Sequence, residues 1–191
     1  MCGIYGQYNP LGADLALIER MALRLAHRGP DGYGTYHNGG ALAFGAGRLA
    51  IIDLAAGVQP IFNEDGSISV VFNGEIYNFP TLREELAARG HQFYTHCDTE
   101  VIVHLYEEMG ADCIKKLRGM FAIALYDEKR KLLLLAATEI FLDKGYDGTT
   151  IEDVAMKAAV SKPTVYRFFS DKERLFAEIV LATTEIGRAH V

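Results

Sequence analysis

A chain of 191 residues that is 50% apolar and 23% charged can bury a full core and is not disordered by composition. Its net charge of -6 is uneven: residues 1–128 carry 9 Lys and Arg against 16 Asp and Glu, net -7, while 129–191 carry 10 against 9, net +1. The split points to two parts of different origin, and +1 is a weak electrostatic footprint for a nucleic acid.

Leu17, Met21 and Leu25 recur at i, i+4 and i+8 and predict an amphipathic helix over 14–28, ending in the turn-rich His27-Arg28-Gly29-Pro30-Asp31-Gly32. Strands are predicted over 41–46, 49–54 and 68–72, each bounded by Gly, Asp or Asn. Helical spacing returns over 81–89 and 100–109, closing on Gly90 and Gly110. Residues 120–126 read as a buried strand, 127–130 as a hairpin turn, and 131–135 as the antiparallel return. The period then becomes helical, with Ala137, Ile140, Phe141 and Lys144 ahead of Gly145. Thr150 with Asp153, and Ser170 with Glu173, have capping-box spacing. Between them, Ser161 can cap a helix that holds Pro163 in its first turn. The tail therefore reads as four short helices. Residues 131–136 are pulled toward strand by the upstream hairpin and toward helix by their Leu and Ala content, and the helix is expected to begin near Leu135.

No apolar run approaches the roughly 18 residues of a membrane span, and no signal-peptide layout opens the chain. Three cysteines, Cys2, Cys97 and Cys113, make an odd count without metal-like pairing. A cytoplasmic protein with no disulfide framework, no bound metal and no membrane partner is expected.

Met1-Cys2-Gly3 carries the first chemical signal. Removal of the initiator before a small residue leaves a cysteine with both a thiol nucleophile and a free α-amino base, whose pKa of about 7.7–8.0 suits proton transfer near neutrality. Downstream stand His27-Arg28-Gly29-Pro30-Asp31-Gly32, Arg48-Leu49-Ala50-Ile51-Ile52-Asp53, Gln59-Pro60, Asn73-Gly74-Glu75-Ile76-Tyr77-Asn78 and Asp98-Thr99-Glu100. In this order and spacing, residues 1–136 closely resemble the class II glutamine amidotransferase domain of asparagine synthetases, an N-terminal-nucleophile fold. The resemblance implies hydrolysis of glutamine to glutamate and ammonia by Cys2. The oxyanion would be held by the Asn73 side chain and the Gly74 backbone N–H. Arg48 would grip the substrate carboxylate, and Glu75 and Asp98 its ammonium. His27 is expected to organise its loop; His96, Cys97 and Cys113 receive no role. No Ser-Gly-Gly pyrophosphatase loop follows, so no cofactor is expected on this chain, ATP and magnesium belonging to an absent synthetase domain.

From residue 132 to 185 a second pattern overlaps the first. Ala136-Ala137-Thr138-Glu139-Ile140-Phe141, Lys144-Gly145-Tyr146, Thr149-Thr150-Ile151, Val160-Ser161-Lys162-Pro163-Thr164-Val165-Tyr166 and Lys172-Glu173 resemble the helix-turn-helix DNA-binding domain of TetR-type repressors. The resemblance implies a recognition helix over 162–169, with Lys162, Thr164 and Tyr166 facing bases or phosphates and Lys172 reaching the backbone. Ala159 stands where that family commonly has the glycine of the turn, and Phe168 reads as core. The family's dimerisation domain is missing, so DNA would be held weakly, by a monomer. Residues 186–191 resemble a translated sequencing adapter.

The expected fold class is α+β: a truncated N-terminal-nucleophile two-sheet sandwich over 1–136 with an exposed edge near 120–135, an all-α helix-turn-helix unit over 137–185, and a non-native tail. Three readings compete: a glutaminase-type enzyme, a DNA-binding regulator, and an artificial join of two gene fragments. The last is expected as the origin of the chain, and the first as its dominant functional signature.

Overall fold

In a computed structural model of the chain, residues 2–49 and 57–188 are described, with side chains through residue 181. The strand expected over 49–54 falls almost wholly outside the described residues, as does the end of 186–191. Contacts divide the chain into two compact units, Met1–Tyr126 and Asp127–Val191. Among the described residues, no helix is long and apolar enough to cross a membrane.

In the first unit, β1 (Gly3–Tyr8), β2 (Tyr33–His37) and β3 (Leu42–Gly47) form an antiparallel sheet with β3 in the middle. Both flanking strands escaped prediction because they are rich in glycine and tyrosine instead of alternating aliphatics. Glycine has a reason to be there: a Cβ on Gly45, opposite both Tyr5 and Thr35, would lie 2.3 Å from the Gly34 carbonyl oxygen and 2.7 Å from the Tyr5 hydroxyl. A second sheet sets β5 (Ile68–Ile76) between the short β4 (Ile61–Phe62) and β6 (Gly119–Asp127).

Strand alternation distributes the core between layers. Val71 of β5 meets Phe44 and Ala46 of β3, closing the space between the two sheets. Val70 and Phe72 join Leu82 and Leu86 of α2 (Phe79–Ala88) and Val101, Ile102 and Leu105 of α3 (Glu100–Met109). On the first sheet, Ile18 and Ala22 of α1 (Leu15–Leu25) pack on Tyr5 and Ala43. The result is helix, sheet, sheet, helix. Asp14 starts α1 by accepting the Leu17 N–H at 3.0 Å, a cap that satisfies one of the helix's open donors.

Two expectations at the end of this unit fail. Residues 120–126 do form a strand, but β6 is an edge strand with half its side chains out, Met120 being 61% exposed, so it is not buried. The return strand over 131–135 does not form. Instead Asp127 accepts the Arg130 N–H at 2.9 Å and caps α4 (Glu128–Gly148), which starts well ahead of Leu135. An N-cap aspartate, an acidic first turn and a Leu/Ala run all favour helix, and here they outweigh the hairpin pattern.

The second unit holds α4, α5 (Ile151–Lys157), α6 (Lys162–Phe168) and α7 (Lys172–Arg188), so four helices form, two of them longer than expected. Leu133, Ala137, Ile140 and Phe141 line one face of α4 and pack with Val154, Val165, Phe169, Leu175 and Ile179. Gly145 breaks the helical path of α4 at φ 71°. The Thr150–Asp153 capping box is complete, and Ser161 caps α6 over Pro163. At α7 the cap is Asp171 and not Ser170: its Oδ1 takes the Arg174 N–H at 2.7 Å. Ala159 sits at φ 53°, the left-handed region that makes glycine the easier residue in this turn.

Candidate active site

The motif around Gly29-Pro30-Asp31-Gly32 positions Arg48. The Asp31 N–H donates to the Arg48 carbonyl at 3.0 Å, and the Arg48 N–H to the Gly32 carbonyl at 2.7 Å. His27 stays in its loop, its Nδ1 3.0 Å from the Arg24 carbonyl oxygen. Arg48 is 6% exposed, and its guanidinium runs so close past Gly57 that a Cβ there would lie 2.8 Å from it.

Asn73, Gly74 and Glu75 come from the last part of β5, where β6 passes closely. A Cβ on Gly74 would lie 2.0 Å from the Met120 carbonyl oxygen, at φ +154°, so this position requires glycine. Asn78 fixes the approach by accepting the Arg118 N–H at 2.9 Å and donating to the Lys116 carbonyl at 3.0 Å. Asp98, 7% exposed just before α3, accepts the Ile76 N–H at 2.9 Å and so ties its loop to β5. Burial pushes the Asp98 carboxyl up, against the hydrogen bonds from the Ile76 and Thr99 backbones that pull it down.

Two clefts form along these elements. Arg48, Gly74, Glu75, Asp98, Gln59 and Thr99 line one, which takes in about 450 Å³ including its open mouth. Cys2, Asn73, Gly74, Glu75 and Phe121 line the other. Gly74 and Glu75 belong to both linings, so the two clefts share the end of β5.

The Cys2 thiol, half-buried, points to the Leu49 carbonyl oxygen at 4.0 Å. Cys97 and Cys113 are buried, and burial pushes both thiols up, which keeps them protonated and poor as nucleophiles. One end of the Asn73 amide, Oδ1, is buried with no hydrogen-bond partner. Sequence reasoning missed two supports. Gln59 Oε1 accepts the Phe72 N–H at 2.6 Å just before the Asn-Gly pair, and Glu100 accepts the Tyr94 and Thr95 N–H groups at 2.8 and 2.7 Å behind Asp98. Both sit inside motifs that were visible, but as scaffold their signal was indistinguishable from that of the contact residues.

In the second unit, Lys162, Thr164 and Tyr166 lie on α6, with Tyr166 46% exposed. The Lys162 ammonium pairs with Glu152 and lies 5.9 Å from the Tyr166 ring centre. Thr164 Oγ1 is 2.7 Å from Ser161 Oγ. Lys172 donates to the Tyr146 and Thr149 carbonyls at 2.9 and 3.1 Å, closing the end of α4. Phe168 packs at the margin of the core and Phe169 at its centre.

Residues 1–140 match the family model for the glutamine amidotransferase domain, and residues 133–179 match that for bacterial regulatory proteins of the tetR family. The chain is 42% identical over 167 residues to the glutamine-hydrolysing asparagine synthetase 1 of Bacillus subtilis, covering 85% of this chain and 26% of that protein. It is 41% identical over 165 residues to the glutamine-hydrolysing asparagine synthetase 1 of Arabidopsis thaliana, covering 82% and 28%. The chain thus spans about a quarter of the length of these curated relatives. Among solved structures it is similar to the glutamine phosphoribosylpyrophosphate amidotransferase of B. subtilis complexed with ADP and GMP. That match has a TM-score of 0.53 and 25% identity, and it covers 67% of this chain and 35% of that one. The chain belongs to the glutamine amidotransferase domain family.

Proposed function

We propose that the first part of the chain, residues 1–136, hydrolyses glutamine to glutamate and ammonia in the cytoplasm, with Cys2 as nucleophile and no cofactor in the step. The observation that carries this reading is the grouping of Cys2, Asn73 and Gly74 in one cleft that shares Gly74 and Glu75 with the cleft of Arg48 and Asp98. With the initiator removed, the Cys2 α-amino group takes the thiol proton and the thiolate attacks the glutamine amide carbon. The negative oxygen is met by the Gly74 N–H and by the Asn73 amide, whose unpaired buried end becomes an NH2 donor on a half-turn of the group. Collapse expels ammonia, protonated by the α-ammonium. Water then cleaves the thioester to free glutamate and regenerate the thiol. Arg48 takes the α-carboxylate through its fork, and Glu75 with Asp98 takes the α-ammonium. Glutamate release from glutamine is expected for the purified chain and is expected to vanish in Cys2→Ala; activity that survives this substitution overturns the assignment.

The raised Asp98 pKa gives a pH signature. Only the anion holds an ammonium, so kcat/KM for glutamine is expected to fall, as pH drops, at a value above the ~3.9 of an ordinary aspartate. Stability moves the other way, because burial favours the neutral acid: this contribution is present below ~3.9 and lost as pH rises through the raised value. In Asp98→Asn the acidic limb should disappear and KM should rise; a limb unchanged in that variant assigns it to another group.

A second reading covers the other part, residues 137–185: contact with DNA through α6. It is supported by the tetR-family match and by the outward Lys162 and Tyr166. The overlap of the two family matches at 133–140 supports the reading of the chain as a join of two gene fragments. Duplex binding in a gel shift should be weak, salt-sensitive and lost in Lys162→Ala with Tyr166→Ala; binding indifferent to the pair removes α6 from the interface.

A further inference from the structure

Away from the cleft, four side chains from three stretches of the first unit converge: Glu64 in the turn between β4 and β5, His91 after α2, and His104 and Glu107 on α3. His91 Nδ1 lies 3.6 Å from Glu64 Oε1 and 3.5 Å from Glu107 Oε2. His104 Nδ1 lies 3.5 Å from Glu64 Oε2 and 3.5 Å from Glu107 Oε2. One donor atom from each of the four lies within 4.8 Å of the others. We propose that Glu64, His91, His104 and Glu107 form a binding site for one divalent transition-metal ion, with Zn²⁺ the best match to the donor set.

Spacing separates this reading from a plain ion-pair cluster. A protonated imidazole that donates to a carboxylate closes to about 2.7–2.9 Å, whereas these four contacts are too long for hydrogen bonds. Ligands about 2.0–2.2 Å from a tetrahedral Zn²⁺ stand roughly 3.3–3.6 Å from one another. Two of the donor atoms, His104 Nδ1 and Glu107 Oε2, are buried without a hydrogen-bond partner, and the His104 side chain is 1% exposed.

Two of the ligands are held on the side away from the centre, as metal ligands usually are. His91 Nε2 is 3.1 Å from Glu108 Oε1, whereas His104 Nε2, 3.6 Å from Glu100 Oε1, makes no hydrogen bond. Glu107 Oε1 accepts from Asn63 Nδ2 at 2.9 Å. Imidazole and carboxylate donors in a closed set of four suit a structural Zn²⁺. The ion would join the β4–β5 turn and the segment after α2 to α3.

The test is a Co²⁺ titration of the metal-stripped full chain carrying Cys2→Ala, which keeps the reactive thiol out of the readout. One equivalent should bind with the visible absorption of four-coordinate Co²⁺ and no thiolate charge-transfer band, and Zn²⁺ should displace it. Glu107→Gln should abolish that spectrum. Glu108→Gln, partly exposed and in contact with the far nitrogen of His91 and with Arg89, should keep the fold by circular dichroism and weaken affinity by about 10- to 100-fold. Absence of saturable Co²⁺ binding overturns the proposal, as does a thiolate band or an affinity indifferent to both glutamate variants.

Discussion

Asn73→Ala is expected to lower kcat for glutamine hydrolysis by roughly 100- to 1,000-fold, the cost of losing one oxyanion donor. Its melting temperature should stay near that of the parent, because Asn73 is only half-buried and its Oδ1 has no protein partner to lose. KM should change little, since the amide acts on charge that develops only in the transition state. Gly74→Ala separates from it. There the new methyl would meet the Met120 carbonyl oxygen at 2.0 Å and Phe121 Cα at 2.6 Å, at a φ that side chains rarely adopt. β6 would have to move from β5, taking the Gly74 N–H out of position and lowering unit stability together with activity. Steady-state kinetics beside a thermal melt distinguish the two: loss of kcat alone for Asn73, loss of both for Gly74. A kcat within a few-fold of the parent in Asn73→Ala removes that side chain from the oxyanion site.

Legibility in the sequence followed the range of the interaction. Elements set by neighbours in the chain were readable: the α1 helix from its 17-21-25 stripe, the Thr150–Asp153 box, and the Ser161 cap over Pro163. Strands β1 and β2 were not, because their glycines are placed for partners far along the chain, as Gly45 is for Gly34 and Tyr5. The cleft residues were legible as motif members, yet nothing local shows that Arg48 is held by Asp31 and Gly32, or that Asp98 reaches Ile76. The Glu64, His91, His104 and Glu107 cluster left no trace in the pattern at all. Its ligands come from a turn, a connecting segment and a helix, without the short Cys or His spacing that marks a metal site in sequence.

Leu133 decides which unit owns the ambiguous Leu/Ala stretch. It is fully buried among the α4–α7 side chains, whereas Leu132 and Leu135 are 45% and 52% exposed. That difference is the helical period at work: a strand over 131–135 would have set Leu133 on the same face as Leu135. Leu133→Ala is therefore expected to cost about 2.7–5.0 kcal/mol through lost burial and the cavity left behind. A core this small supplies only about 3–5 kcal/mol, so the variant should lose the cooperative helical melt of the second unit, and DNA contact with it. Leu132→Ala and Leu135→Ala, with little burial to lose, should shift that melt slightly, and Leu133→Met, close in volume, should cost less than about 1.5 kcal/mol. Equal shifts in all three alanine variants would mean that 131–136 does not pack as a helix. A loss confined to Leu133 fixes the stretch in the helical unit, whatever its sequence shares with the strand on the other side.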